Sequence, residues 1–254
     1  MAKSARITNH QQTIHPIADE IAERLVDKLT DIKKPFNKVL DISSIFDGTS
    51  HLLSPQSNVE CFQSTKLGEL LNKEEVFDLV ISNLSFTITK DMQKALLISG
   101  KTLKKDGLLI ASILGAESFK ELKESFYAAG SKNGHTALFP DVQTCGSLLH
   151  QLKFALPVID REFITLHYSS FKEMWQDIRS LGKLNNHPEK RKGLTTPDLW
   201  RKMEKHYWEN FATPEGYIPL TLEVIYLTGW RADKSQQKPL PMGTKAVSLA
   251  EILK

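Results

Sequence analysis

Between residues 14 and 32 apolar side chains recur at steps of three and four: Ile14, Ile17, Ala18, Ile21, Leu25, Leu29 and Ile32. That spacing lines one face of a helix, which Pro35 stops. The period then changes. Lys38-Val39-Leu40-Asp41-Ile42 is a short apolar run closed by a polar loop, and it predicts a buried strand. The Ser-rich stretch 43–57 holds at most a short helix. Val59–Gln63 predicts a second strand, Leu67–Leu71 a brief helix and Phe77–Ser82 a stronger strand. Met92, Ala95, Leu96, Ser99 and Leu103 predict a helix over 90–104. Asp106-Gly107 then turns the chain into another buried strand, Leu108–Ile113. Short apolar strands alternating with amphipathic helices argue for a parallel α/β sheet.

The second half has a different rhythm. Helices are predicted at 118–129 and 141–152, followed by extended structure from Val158 to Tyr168. Two more helices follow near 170–182 and 197–211. Thr221–Trp230 is a final strand, rich in β-branched and aromatic residues. Two strands with helices between them predict an antiparallel end to the sheet. Pro239 and Pro241 make the tail extended. With no repeat and no linker, the chain reads as one domain over 1–254. Its halves are 14–130 and 131–254, with a helical pair inserted at about 170–212.

Composition narrows the classes. Apolar residues are 41% and charged residues 25%, which is globular composition rather than that of a disordered chain. The net charge of +3 gives no case for nucleic acid. Cys61 and Cys145 form no Cys-x-x-Cys, and His135, His150, His167, His187 and His206 lack ligand spacing, so no metal site is expected. The longest apolar stretch, Leu108–Ala116, falls far short of the roughly 20 residues of a membrane span. The first residues, MAKSARITNHQQ, have no apolar signal core. A cytoplasmic protein with reduced thiols is expected, or a mitochondrial-matrix one if the source is eukaryotic. Lys190-Arg191-Lys192 has no interleaved aromatics and reads as a solvated loop.

The order of strand, loop, strand and helix, then Lys104-Lys105-Asp106-Gly107 and strand, is similar to that of class I S-adenosylmethionine (SAM) methyltransferases. The C-terminal half is more specific. Asp160-Arg161-Glu162, Tyr168, Met174, the run Asp177–Leu184, Ile218-Pro219 and Ile225–Trp230 follow in a fixed order. That series resembles the branch holding the biotin-synthesis malonyl-carrier-protein methyltransferase and the respiratory complex I assembly factor. The assembly-factor side is nearer, and the tail Lys238-Pro239-Leu240-Pro241 fits it. The resemblance spans about residues 14–254. It implies a Rossmann-like sheet, SAM as cofactor and, on the assembly-factor side, a complex I subunit as partner. Its reported chemistry there is arginine hydroxylation.

The cofactor half departs from the family pattern. Where the family has Asp-Leu-Gly-x-Gly-x-Gly, this chain has Asp41-Ile42-Ser43-Ser44-Ile45-Phe46-Asp47-Gly48. Ile45 stands where the backbone must approach the cofactor, and β-branched residues resist positive φ. The acid that would bind the ribose hydroxyls is replaced by Ser64, which cannot make a bidentate charged bond. Only 37 residues separate Asp41 from Asp78. That allows one βαβ crossover of roughly 30 residues. We therefore expect the family's third, edge strand to be deleted. After the strand at 77–82, Thr87 and Ile88 replace the family's aromatic pair.

The residual cofactor pocket is thus assigned to Asp41, Ser43, Gly48, Ser64 and Asn83, with weak or no SAM binding and no catalytic residue identified. The expectation is a methyltransferase-like pseudoenzyme that binds or modifies a complex I subunit. The alternative is an active SAM-dependent methyltransferase, including one acting on a malonyl carrier protein, for which Lys183 and Lys190–Lys192 would form the basic surface. Two features stay open. Asp160-Arg161-Glu162 is either a substrate contact or a set of edge ion pairs. On the helix at 197–211, Leu199, Met203 and Tyr207 share one face and Trp200, Glu204 and Trp208 another. With Phe171 and Trp175, these are either buried on two sides or form a partner surface.

Overall fold

A computed structural model of the chain describes residues 16–43, 49, 52–53, 57–89, 91–131, 134–182, 195–234 and 236. Six strands form one sheet: β1 (Lys38–Ser43), β2 (Asn58–Gln63), β3 (Phe77–Asn83), β4 (Leu103–Leu114), β5 (Phe154–Tyr168) and β6 (Ile218–Arg231). Their spatial order is β2-β1-β3-β4-β6-β5. The first four are parallel, and β6 runs antiparallel to both β4 and β5. The helices are α1 (Pro16–Thr30), α2 (Met92–Thr102), α3 (Lys120–Ala128), α4 (Val142–Gln151), α5 (Phe171–Ser180) and α6 (Pro197–Phe211).

Alternate residues of each strand face opposite layers. Val39, Leu79, Ile81, Leu108 and Ile110 pack with α1, α3, α5 and α6. Leu40, Ile42, Val80, Leu109 and Ile113 pack with α2 and α4. Asp141 caps α4 by accepting from Thr144 N, and Asp91 caps α2 by accepting from Lys94 N.

The crossover from β2 to β3 is a 3₁₀ segment, Ser64–Asn72, with no strand in it. β2 therefore pairs only with β1 among the described residues, and the expected loss of an edge strand is what the sheet shows. At the other edge, β5 is blunted by Pro157, by a register shift between Ala155 and Val158, and by exposed charges at 160 and 161.

Three boundaries differ from expectation. β1 continues past Asp41 to Ser43 because Ser43 still pairs with Gln63. The Asp106-Gly107 turn is instead an irregularity inside β4, which begins at Leu103 opposite Phe77. Asp106, not the glycine, takes the left-handed conformation at φ 59°. Gly107 serves close approach, since a Cβ there would stand 2.8 Å from the Lys104 carbonyl oxygen. β5 also starts four residues early, at Phe154.

Candidate functional site

β5 runs in the same direction as β4, so Tyr168 and Ile218 both lie at the carboxyl end of the sheet. The inserted pair α5–α6 is consequently mounted on the end where open α/β sheets bind ligands. It packs against α3: His206 Nδ1 lies 3.2 Å from Ser125 Oγ, and the Phe126 and Trp200 rings are 6.2 Å apart. Met203 and Tyr207 are fully buried, and the Tyr207 hydroxyl donates to the Pro219 carbonyl. The Trp175 and Trp200 rings lie 5.0 Å apart, tilted by 40°. Trp208, 39% exposed, keeps one edge on Phe171. Met203 and Tyr207 on one face of α6 and Trp200 on another are thus used in packing, while Trp208 opens outward.

Four of the five residues assigned from sequence lie at the ends of adjacent strands. Gly48 lies outside the described residues. Asp41 is fully buried, two residues inside the end of β1, in register with Cys61 and Ile81. Its Oδ2 accepts from Thr49 Oγ1 at 3.2 Å. Ser43 is half-buried opposite Gln63, and Ser64 follows immediately where β2 ends. Asn83 ends β3, but its amide is engaged inside the protein. Nδ2 donates to the Ala18 carbonyl at 2.8 Å, and Oδ1 accepts from Ser112 Oγ at 2.7 Å. The residue therefore ties α1 to β3 and β4. Glu60, the nearest carboxylate on β2, is held by Lys73 Nζ at 2.6 Å and Lys38 Nζ at 3.7 Å.

The set fits SAM incompletely. Asp41 offers a buried carboxylate at the first strand, while the position following β2 holds Ser64 rather than an acid. No step can be routed through the cofactor on these residues.

Other polar residues of this end were not anticipated. Glu121 and Glu223 are buried carboxylates, 3% and 2% exposed. Glu121 accepts from the Thr221 hydroxyl and, at 3.2 Å, from Thr221 N. Glu223 Oε2 accepts from Glu117 N at 2.7 Å, and Arg161 Nη1 is 3.6 Å from Oε1. A Cβ on Gly115 would fall 2.5 Å from the Glu223 carboxylate, so a larger residue there must displace that side chain. Burial lowers the pKa of Lys123, against the opposing pull of Glu117 and Glu223. The signal for this cluster is two glutamates at core positions of α3 and β6, where an apolar pattern predicts none.

The charged triplet resolves to ion pairs. Glu162 pairs with Arg24, Asp160 with Lys28, and Arg161 reaches Glu223. Lys28 also sits 4.3 Å over the Tyr226 ring. The set clamps α1 to the β5–β6 edge. Burial pushes the Cys145 thiol up to about 12, which removes it as a nucleophile. No group of metal-binding residues is present among the described residues, and no helix there is long and apolar enough to cross a membrane.

Comparison with known proteins agrees with this architecture. The methyltransferase-named BH2331 protein of Bacillus halodurans superposes with a TM-score of 0.57 at 14% identity, over 82% of this chain and 99% of its own. YcgJ of Bacillus subtilis gives 0.55 at 14% identity, over 84% and 98%. Among curated relatives, malonyl-[acyl-carrier protein] O-methyltransferase 1 of Coxiella burnetii is 40% identical over 149 residues, 59% of this chain and 51% of that protein. The mitochondrial arginine-hydroxylase NDUFAF5 of Dictyostelium discoideum is 32% identical over 188 residues, 71% of this chain and 42% of that protein. The human protein of the same name is 26% identical over 262 residues, 93% of this chain and 76% of its own. The chain has the Rossmann-like fold of methyltransferase structures and is similar in sequence to these relatives. It spans about half the length of the first two of them. No family model matches the chain.

Proposed function

We propose that this chain is a class I family member that serves respiratory complex I assembly by binding a subunit of that complex, with a SAM site too eroded for methyl transfer to be its principal role. The observation that supports this reading is the commitment of the strand-end polar groups. Asn83 is consumed by Ala18 and Ser112, Glu60 by two lysines, and Ser64, which would face the ribose, is uncharged. Two alignments favour the assembly-factor side: NDUFAF5 of zebrafish and human match along 94% and 93% of the chain, whereas the Coxiella methyltransferase matches along 59%. The alternative, a working methyltransferase acting on a malonyl carrier protein, draws on the 40% identity to that enzyme. The basic residues it would use, Lys183 and Lys190–Lys192, lie outside the described residues. The location follows the source: matrix if eukaryotic, cytoplasmic otherwise.

The test is titration of the purified chain with SAM and with S-adenosylhomocysteine, by calorimetry and thermal shift. A ligand at 100 times its dissociation constant stabilises by about 2.7 kcal/mol. For this size of chain that is about 5–11 °C in Tm. A flat titration with co-purification of a complex I subunit is the expected result. A clear shift restores the enzyme reading, and failure to capture any complex I subunit from the native host removes the assembly role.

A further inference from the structure

The amino end of the sheet carries an apolar concavity. A cavity of about 240 Å³ opens between the last turns of α2 and the residues that join α4 to β5. Phe154, 8% exposed and in register with Arg231, forms its floor. A Cβ on Gly100 would stand 3.0 Å from the Phe154 ring, so α2 passes close over that floor. Leu97 lines the opening and is 43% exposed. The strand β3 sets the distance to the assigned site. Phe77 pairs with Leu103, directly after α2, and Asn83 lies six residues further along. At the rise of a strand that is about 20 Å, so the cleft is separate from Asp41, Ser64 and Asn83.

The rim is basic. Lys101, Lys153 and Arg231 surround the opening, and no acidic residue lines it. Arg231 is committed within the fold: Nη1 donates to the Lys101 and Leu103 carbonyls, and Nη2 pairs with Glu75 at 2.9 Å. Lys101 and Lys153 are exposed and have no ion pair among the described residues. The carbonyls at the ends of their helices accept from Arg231 and from backbone N–H groups, not from these ammonium groups. Lys153 is also held in the left-handed conformation, at φ 60°. That position, just past a helix C-cap, ordinarily takes glycine. A lysine there accepts backbone strain and sets a free cation beside the apolar floor. A partner that fills the cleft must therefore bring an apolar side chain for Leu97 and Phe154 and carboxylates for the two lysines.

We propose that this cleft docks an acidic segment of another protein, which seats one large apolar side chain between Leu97 and Phe154 and sets flanking carboxylates on Lys101 and Lys153. Charge complementarity and shape both favour that occupant. Electrostatic membrane binding draws on clusters of about four to eight basic residues, whereas here two free cations flank a concavity. Single-stranded nucleic acid calls for exposed aromatic platforms, and Phe154 is buried. A segment docked here leaves the carboxyl end of the sheet open. The proposal therefore holds whether or not SAM binds, and it does not rest on the complex I reading.

Peptide display on the full chain tests it. Random dodecapeptides are selected on the parent and counter-selected on a Lys101→Glu/Lys153→Glu variant. Both positions are exposed, so the variant is expected to fold, with a Tm equal to the parent's as the check. The expected result is enrichment of peptides that carry a large apolar residue flanked by Asp or Glu. By fluorescence anisotropy such a peptide should bind the double variant, and separately Leu97→Asp, roughly tenfold or more weakly than the parent. Lys172→Glu, a charge reversal on α5 at the other end of the sheet, should leave its affinity unchanged. No enrichment over the counter-selected variant overturns the proposal, as do enriched peptides without carboxylates or equal affinity for all variants. Binding of phosphatidylglycerol vesicles by the parent and not by the double variant overturns it in favour of a lipid surface. A tenfold gain in peptide affinity on deleting 237–254 overturns it in favour of the chain's own tail.

Discussion

Replacing Asn83 with alanine separates a structural tie from a cofactor ligand. The side chain is 7% exposed and makes two hydrogen bonds, at 2.8 Å to the Ala18 carbonyl and 2.7 Å from Ser112 Oγ. Each such bond contributes about 1 kcal/mol net. Ser112 Oγ still accepts from Leu84 N at 3.0 Å in the variant, which limits the extra penalty for stranded groups. The expected loss for Asn83→Ala is therefore about 2 kcal/mol, or about 4–8 °C in Tm for a chain of this length. Urea denaturation followed by tryptophan fluorescence measures it, with no ligand present. Asn83→Asp sharpens the test. Its carboxylate keeps the acceptor for Ser112 but sets an oxygen against the Ala18 carbonyl in a buried site. Burial and that repulsion raise its folded pKa above the unfolded value of about 3.9. A raised acid contributes stability below the unfolded pKa and loses it as pH rises through the folded one. Asn83→Asp should thus surpass Asn83→Ala at pH 3.5 and fall below it at pH 8. An Asn83→Ala variant within about 0.5 kcal/mol of the parent would refute the tie, and with it the main reason for reading this strand end as closed.

Gly115→Ala should cost about 2–3 kcal/mol by overpacking, because the new methyl meets the Glu223 carboxylate at 2.5 Å and displaces it from Glu117 N; a chemical-denaturation midpoint equal to the parent's would show that the loop yields instead. Titration with an aromatic disulfide at pH 8 should find one fast thiol, exposed Cys61, with Cys145 reacting only after unfolding; two fast thiols would contradict its burial and raised pKa. Asp106 has a pKa held down first by its hydrogen bond to Lys34 and then by Gln236, so its contribution is present above the unfolded value of about 3.9 and lost as pH falls through the folded one. Asp106→Asn should flatten the acid limb of the stability curve below about pH 4, and the parent's steep fall persisting there would assign it to other carboxylates.

The elements were legible because their periods are clean. The steps of three and four in α1, the apolar run of β3 and the β-branched run of β6 each report one buried face or two. The missing strand was legible once the family resemblance set the expected strand count, since the 37 residues from Asp41 to Asp78 allow one crossover. Less visible were the places where tertiary contact overrides local signal. β4 runs back through Lys104 and Lys105 because Leu103 pairs with Phe77 across an irregular step that no propensity encodes. The site was half legible. The positions of Asp41, Ser43, Ser64 and Asn83 at neighbouring strand ends follow from strand order, but the inward commitment of Asn83 depends on α1 lying over β3, which sequence does not reveal. Glu121 and Glu223 escaped notice because a buried glutamate looks like any other until its partners, Thr221 and Glu117, are in place.

A cofactor site degraded at β1 and β2, as proposed, would be compatible with an intact fold because the two ends of this sheet carry different loads. β6 is paired on both sides along much of its length, and α3, α5 and α6 enclose one face of it in a continuous aromatic and aliphatic core. β2 is a short edge with one partner, so losing its outer neighbour exposes one row of backbone groups without opening the core. A glycine loop is needed only where backbone must approach a ligand, and replacing it removes ligand contact before it removes strand pairing. Selection on cofactor binding and selection on folding therefore act on different residues. A chain kept for its surface and its helical insertion would retain Arg24–Glu162, Gly115–Glu223 and Tyr207–Pro219 while its first loop drifted.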